Sequence, residues 1–461
     1  MRMGRHQSRP VERGYLATVW NTAAASISIA VLSAVGGLLV SRDLGPAGRG
    51  TYTVVTSYAM AAATIGDCGL TAAICYFVAR HSTGAPDVVH TGRALLLVLG
   101  LVVGAAGFVA APLVFPHDHA AATAFRAAFV AQPIFYVSAA WIFALQATRL
   151  PAWNLVRAVQ PLTQTATIVL LVLVSGLTVT NAVACFLGST VVQAMLAAWF
   201  WRRESRSRGR IRRKTAADLF RYAGPVFLSS VPFQLSSHLD MLLLALLVAP
   251  EKVGLYAVAV SMSGLSRPIC AAFGNVAMPR LARISSAETD HGAAGIHAAN
   301  SSSTRRVALL AVGFSLAAGV LVVGLMCLAA PLLVPAVLGA GYAPSVHLLW
   351  LLAPGAALLG CNWAMDDVLR GLNLSMTVAR CEGAGAVATL IGLAVLAPTV
   401  GIAGAAIASS IAYLVAFVLL VQAVLRVVGV PMRMVPHHAR GLLLPWAARA
   451  RIALLPNVER R

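Results

Sequence analysis

The chain has 461 residues, of which 59% are hydrophobic and only 11% charged. A soluble domain is nearer half apolar and a quarter charged, and a single soluble core stops growing near ~250–300 residues. This composition excludes an ordinary soluble enzyme, a disordered chain and a fibrous one, and indicates an all-α, polytopic membrane protein.

The N-terminus is basic and turns apolar at Tyr15. The apolar stretch runs to Val40 with no small-residue cleavage site near its end, so it reads as a retained first span rather than a signal peptide. A span needs ~20 mostly apolar residues. Twelve stretches qualify: 15–40, 50–79, 94–115, 122–146, 158–178, 181–201, 219–249, 254–279, 307–330, 345–369, 383–399 and 401–425. Backbone groups in hydrocarbon must be satisfied internally, which makes the spans helices. The short alternating segments of a barrel are absent from the sequence.

The 35 Lys and Arg outnumber the 15 Asp and Glu, for a net charge of +20. In a soluble protein that excess would suggest nucleic acid. Here the cations lie between apolar blocks and act as topology signals. One set of alternate loops carries 30 of them, and the other carries Arg42, Arg49 and Lys252. That bias places both termini in the cytoplasm and the protein in the cytoplasmic membrane. The run Arg202–Lys214 reads as a topology anchor or a contact for anionic headgroups. It separates an N-terminal six-helix lobe (1–201) from a C-terminal one (219–425), with the linker at 202–218 and a basic tail at 426–461. Within the tail, Gly441–Leu455 reads as an amphipathic surface helix or a disordered segment.

The two halves look related. Pro46, Gly50, Tyr52, Val54 and Ser57 recur as Pro250, Gly254, Tyr256, Val258 and Ser261 at one constant offset of 204. Copies six spans apart share one orientation, so they are expected to be related by an axis along the membrane normal. Two like-oriented lobes suit an alternating-access transporter. The seven cysteines form neither a CxxC nor a Cys/His cluster, and they read as small buried thiols. Neither a metal site nor a cofactor is indicated.

Three blocks carry a resemblance. Leu44-Gly-Pro-Ala-Gly-Arg-Gly-Thr-Tyr52 precedes Asp67-Cys-Gly-Leu70 and Phe77-Val-Ala-Arg80. Asp240 precedes Gly254-Leu-Tyr256 and Met278-Pro-Arg280. Leu338-Gly-Ala-Gly-Tyr342-Ala-Pro344 precedes Leu369-Arg-Gly-Leu372. In order and spacing, from about residue 14 to 425, these resemble the polysaccharide-unit (O-antigen and exopolysaccharide) flippases of the multidrug/oligosaccharidyl-lipid/polysaccharide exporter superfamily. The resemblance implies twelve helices in two lobes that move an undecaprenyl-diphosphate-linked oligosaccharide from the inner to the outer leaflet. The partners it implies are that lipid-linked substrate, membrane lipids and the polysaccharide polymerase machinery, with no nucleic acid. The family often has a basic residue after the seventh-helix Asp, where this chain has Met241.

Charges inside the bilayer are costly and usually face a cavity or a partner. Asp67, Arg267 and Asp240 fall near mid-depth, and none has a charged counterpart at the offset of 204. A scaffold charge would be expected in both copies, so the asymmetry favours function. Arg267 offers a permanent charge and forked donors that match a lipid diphosphate. The competing reading is an ion pair with Asp240. Asp67 is the coupling-ion candidate, against a structural carboxylate in a small-residue setting. Arg126 is a substrate contact or a side chain snorkelling to the interface. Asp366, Asp367 and Arg370 are gate candidates or local i,i+4 and i,i+3 pairs. Asn21, Gln132, Gln164, Gln234, His238, Asn275 and Asn362 bind sugar hydroxyls or join helices. Asn21 and Gln234 rank first, because the first and seventh helices line the cavity in the resembled family.

Two other functions compete with this reading. A cation-coupled multidrug exporter of the same superfamily is the alternative, although drug pockets for cations favour acidic and aromatic groups. A membrane enzyme would need extramembrane acid or base clusters. His117, Asp118 and His119 form the one candidate, on a short turn that suits helix capping better.

Overall fold

Apolar runs of this length, with every backbone polar group needing a partner inside its own segment, leave one solution, and the computed structural model shows it. It describes residues 9–80, 84–205, 209–274, 277–278, 281, 302–372 and 374–429. Thirteen helices follow in order, and no strand occurs among the described residues. They are α1 (Arg9–Gly66), α2 (Leu70–Arg80), α3 (Ala85–Val114), α4 (His119–Val130), α5 (Gln132–Thr148), α6 (Leu150–Val174), α7 (Val179–Glu204), α8 (Arg213–Leu247), α9 (Pro250–Ser263), α10 (Ser302–Leu338), α11 (Pro344–Gly371), α12 (Ser375–Val400) and α13 (Ile402–Val428).

Ten segments among the described residues are long and apolar enough to cross a membrane. One of them, Ser28–Gly66, spans 39 residues because α1 is two helices joined at Gly45. There φ is 66° and ψ 179°, a conformation that essentially only glycine adopts, and Pro46 restarts the helix. With α8 also counted, nine of the twelve stretches expected from the sequence each fall on one helix to within about four residues at their ends, whereas 50–79 is divided between α1 and α2, 122–146 between α4 and α5, and 254–279 runs from α9 through a 3-10 turn to residues outside the described ones. The tail beyond Gly429, with the surface helix expected at Gly441–Leu455, lies outside the described residues.

The described residues gather into two compact units. One comprises the described residues within 9–262, 329–351 and 390–407, and the other those within 263–328, 352–389 and 408–429.

In the first unit, α3 shows how a membrane helix packs when lipid is as apolar as the core. Gly92, Leu96, Gly100, Gly104, Gly107 and Ala111 form a buried stripe. A β-carbon on Gly107 would stand 1.8 Å from the Phe129 ring, and one on Gly104 would stand 2.8 Å from the Phe129 carbonyl oxygen. Small residues therefore let α4 and α5 approach closely. The opposite face exposes Leu97, Val98, Leu101, Val102, Val109 and Leu113, which suits acyl chains. Side-chain amides and hydroxyls complete the packing. Gln132 Nε2 donates to the Ala59 carbonyl at 2.9 Å, Tyr136 to Ala62 at 2.7 Å, and Thr165 to Leu32 at 3.0 Å.

The two repeat turns meet in this unit. A β-carbon on Gly50 would lie 1.6 Å from the Pro250 carbonyl oxygen, and one on Gly254 would lie 1.9 Å from the Pro46 carbonyl oxygen. Each copy's glycine thus seats the other copy's proline carbonyl. A reciprocal contact of this kind is what a local two-fold relation produces.

The linker is docked as well. Asp87, in the first turn of α3, accepts from the Arg210 backbone N–H at 2.8 Å and pairs with Arg212. Arg80, Arg93, Arg149, Arg157 and Arg203, all from the heavily basic set of loops, lie over aromatic rings, as in Arg203 over Trp199 at 3.8 Å and Arg157 over Trp153 at 4.4 Å. Such pairs suit a membrane–water interface.

In the second unit, Ser315 of α10 donates to the Gly360 carbonyl at 3.3 Å and Asn362 of α11 donates to the Tyr413 carbonyl at 3.1 Å. Arg305 Nε donates to the Val428 carbonyl at 3.2 Å, satisfying the C-terminal end of α13. Gly355 faces the Ser410 backbone and Gly319 the Ala357 carbonyl at distances that no β-carbon would allow.

Candidate functional site

Arg267 follows the point where α9 tightens into a 3-10 turn, Gly264–Ser266, before the helix resumes. A 3-10 stretch inside a longer helix often marks a hinge or a functional site. The side chain folds back over its own turn, with Nε 3.5 Å from where a β-carbon on Gly264 would stand. Nε is buried and has no hydrogen-bond partner. An unsatisfied guanidinium nitrogen in a helical bundle is costly, and a phosphate oxygen is the acceptor that best matches it.

Asp240 of α8 is 5% exposed. Its Oδ2 accepts from the Tyr256 hydroxyl at 2.9 Å, and its Oδ1 accepts from the Met241 backbone N–H at 2.7 Å. Tyr256 is the tyrosine of the second repeat. Its counterpart Tyr52 accepts from Gln164 Nε2 at 2.8 Å. The two repeat tyrosines therefore each tie a helix through a polar partner, in opposite donor sense.

Asp67 stands between α1 and α2, where the backbone leaves the helix for three residues. Its carboxylate accepts from the Gly69 N–H at 2.9 Å and from the Thr71 hydroxyl. That is an N-cap arrangement, and it satisfies freed donors in mid-span. Gly69 has φ 77°, and its missing β-carbon leaves room for the Ala223 carbonyl of α8. The guanidinium carbon of Arg126 lies 5.3 Å from the centroid of Phe108, a ring on the exposed face of α3. The ring contact fits snorkelling, but Nε itself is buried without a hydrogen-bond partner.

Arg370 pairs with Asp366 at 3.6 Å and with Asp367 at 3.8 Å, the i,i+4 and i,i+3 geometry expected of them. The sequence reading did not include Glu382 of α12, which is 3% exposed and acts electrostatically on Asp366. Both Asp366 carboxylate oxygens and Glu382 Oε1 lack hydrogen-bond partners. Even so, no group of three or more His, Cys, Asp or Glu is placed to hold a metal ion among the described residues. Gln132, Gln164 and Asn362 all bond other helices. The side chains of Asn21, Gln234, His238 and Asn275 lie outside the described residues. Asp118 caps α4, accepting from the Ala121 N–H at 2.9 Å.

Sequence reasoning also passed over Arg49. Counted with a loop, it lies instead inside α1 just past the kink, and it is 9% exposed.

Comparison with known proteins identifies the family and the fold. The sequence model of the family described as "Polysaccharide biosynthesis protein" matches residues 16–285, more than half of the chain. The chain belongs to the polysaccharide biosynthesis protein family. Solved structures of transporters share the fold. The lipid II flippase MurJ in an inward closed conformation superposes with a TM-score of 0.73 at 12% identity, over 95% of this chain and 93% of that one. An inward-facing multidrug resistance MATE family transporter gives 0.68 at 16% identity, over 87% and 95%. A superfamily transporter from Pyrococcus furiosus, described as having a reversed polarity of its binding pocket, gives 0.54 at 15%, over 89% and 96%. A search of curated proteins finds no match. This member of the polysaccharide biosynthesis protein family is thus a multi-pass membrane protein by the length and apolarity of its helices, and it shares its fold with the flippase and the transporters above.

Proposed function

We propose that the protein carries an undecaprenyl-diphosphate-linked oligosaccharide across the cytoplasmic membrane by alternating access between its two six-helix lobes, 1–201 and 219–425. Both termini and the basic linker face the cytoplasm. The observation that carries this reading is Arg267. It is a permanent cation at a helix irregularity, with a buried donor that lacks an acceptor, in a chain whose family makes polysaccharide. A diphosphate supplies both the charge and the acceptor oxygens. Asp240 is held by Tyr256 and serves as a polar joint of α8 and α9. Asp67 serves as a cap, Arg126 as an interfacial anchor, and Asp366, Asp367 and Arg370 as a local charge cluster.

Arg267→Ala should abolish surface polysaccharide while the lipid-linked precursor accumulates on the inner leaflet. Arg267→Lys keeps the charge but loses the fork, and should retain part of the export. Normal export in the Ala strain would overturn the assignment. A strain lacking the protein that instead became drug-sensitive with polysaccharide intact would favour the multidrug exporter.

A further inference from the structure

Arg49 is nine-tenths buried, and no carboxylate lies within ion-pair distance of it among the described residues. Its Nε has no hydrogen-bond partner. The guanidinium lies 5.7 Å from the Tyr52 ring centroid, with Tyr342 the other ionisable group near enough to act on it. The small residue Gly37 leaves its terminal nitrogen room on the side of the first half of α1. A cation–π contact offsets part of the cost of burying a guanidinium, but it supplies no acceptor for the N–H groups.

The neighbouring groups are short of acceptors too. The Tyr52 hydroxyl receives a hydrogen bond from Gln164, and its own proton finds no acceptor among the described residues. The Tyr342 hydroxyl is already committed to the Ser41 carbonyl at 2.7 Å. A permanently charged donor and a hydroxyl with an unmatched proton therefore lie near one another, with no carboxylate paired to the cation among the described residues. The scaffold does not demand this. At the offset of 204, Arg49 corresponds to Val253, fully buried in the apolar core of the same unit. The fold accepts an aliphatic residue at this register in one copy and holds an uncompensated cation in the other.

We propose that Arg49 and the Tyr52 hydroxyl form a second phosphate-binding station, at the end of the bundle opposite the basic loops, that receives the diphosphate of the lipid carrier as it leaves. Arg49 lies three residues past Pro46, so it is only ~5 Å along the helix from the turn. It also immediately precedes Gly50, half of the reciprocal contact with the second repeat. Any separation of those turns exposes the guanidinium to the aqueous side, where a diphosphate would meet it. This inference rests on the flippase reading. Its ligand chemistry, a phosphate on a lipid, has three sources: the polyprenyl carrier, bulk anionic phospholipid and free pyrophosphate.

The test is binding of undecaprenyl diphosphate to the purified full-length protein in detergent, with Arg49→Gln, Arg49→Lys and Tyr52→Phe beside the wild type. Charge-assisted hydrogen bonds are worth ~1.5–3 kcal/mol, so Arg49→Gln should weaken binding by about 10- to 100-fold. Arg49→Lys should weaken it by less than ~10-fold, and Tyr52→Phe, which keeps the ring, by roughly 3-fold. Inorganic pyrophosphate and phosphatidylglycerol should compete poorly. Wild-type affinity in Arg49→Gln, even with a lowered melting temperature, would overturn the proposal and reduce Arg49 to a packing role. If Arg49→Gln fails to fold, unchanged affinity in both Arg49→Lys and Tyr52→Phe would do the same. Equal competition by phosphatidylglycerol would overturn the substrate assignment in favour of bulk lipid. Failure of the flippase reading looks different: surface polysaccharide would be normal in a strain lacking the protein, whatever Arg49 binds.

Discussion

At Asp366 the exposure is 1%, and the one cation paired with it among the described residues, Arg370, is shared with Asp367. Glu382 adds a further buried carboxylate on a neighbouring helix. Removing one partner of a fully buried pair typically costs ~3–5 kcal/mol. Arg370 is 37% exposed and partly screened by solvent, so its loss costs less than that, whereas removing a like charge relieves repulsion. Arg370→Met should therefore lower the melting temperature of the purified protein. Glu382→Gln should raise it, or restore part of the loss when combined with Arg370→Met. Thermal unfolding in detergent measures both, and equal losses in the two single variants would contradict this account. The Arg370 pairs were legible from spacing alone, since i,i+3 and i,i+4 fix neighbours on a helix. Glu382 was not. A span reckoned from the apolar run begins at 383, while α12 begins at Ser375 and carries Glu382 inside. Arg49 escaped notice for the same reason. Hydropathy assigns a charged residue next to a Gly-Pro turn to the loop, and only the kink geometry returns it to the helix.

The turns of the two repeats supply the sharpest test at the level of elements. With each glycine seated on the other copy's proline carbonyl, any β-carbon forces the two helices apart. Overpacking a close contact costs ~1–3 kcal/mol. Gly50→Ala and Gly254→Ala should each destabilise the protein by about that much. Because both act on one contact, the double variant should lose less than the two losses added together. A thermal-melt double-mutant cycle measures this coupling, and strict additivity would mean that the two glycines act independently. The helices themselves were readable from the sequence because length and apolarity decide a span. The repeat was readable too, as five matched residues at one offset. What hydropathy could not give was contact: that Pro46 meets Gly254, or that Asp87 holds the linker by Arg210 and Arg212. These contacts depend on the folded path of residues far apart in the chain, and no local pattern encodes them.

For the whole molecule, orientation is the claim on which the transport direction depends. From the basic bias of the loops, 202–218 is expected in the cytoplasm and the turn after α3 outside. The arginines stacked on aromatic rings at one end agree with an interface there, but stacking alone does not say which compartment it faces. Single cysteines at two exposed positions decide it. Arg203→Cys lies at the end of α7, and His117→Cys lies in the turn between α3 and α4. The native cysteines are buried or half-buried, so the background should be low. A membrane-impermeant maleimide added to intact cells should label His117→Cys at once and Arg203→Cys only after lysis. Flipping this topology would require moving the strongly basic loops outward against the cytoplasmic preference for Lys and Arg. The reverse labelling pattern would therefore overturn both the assigned leaflets and the placing of Arg49 at the delivery end. Labelling of both sites in intact cells would show that the alternation of twelve spans is broken between them.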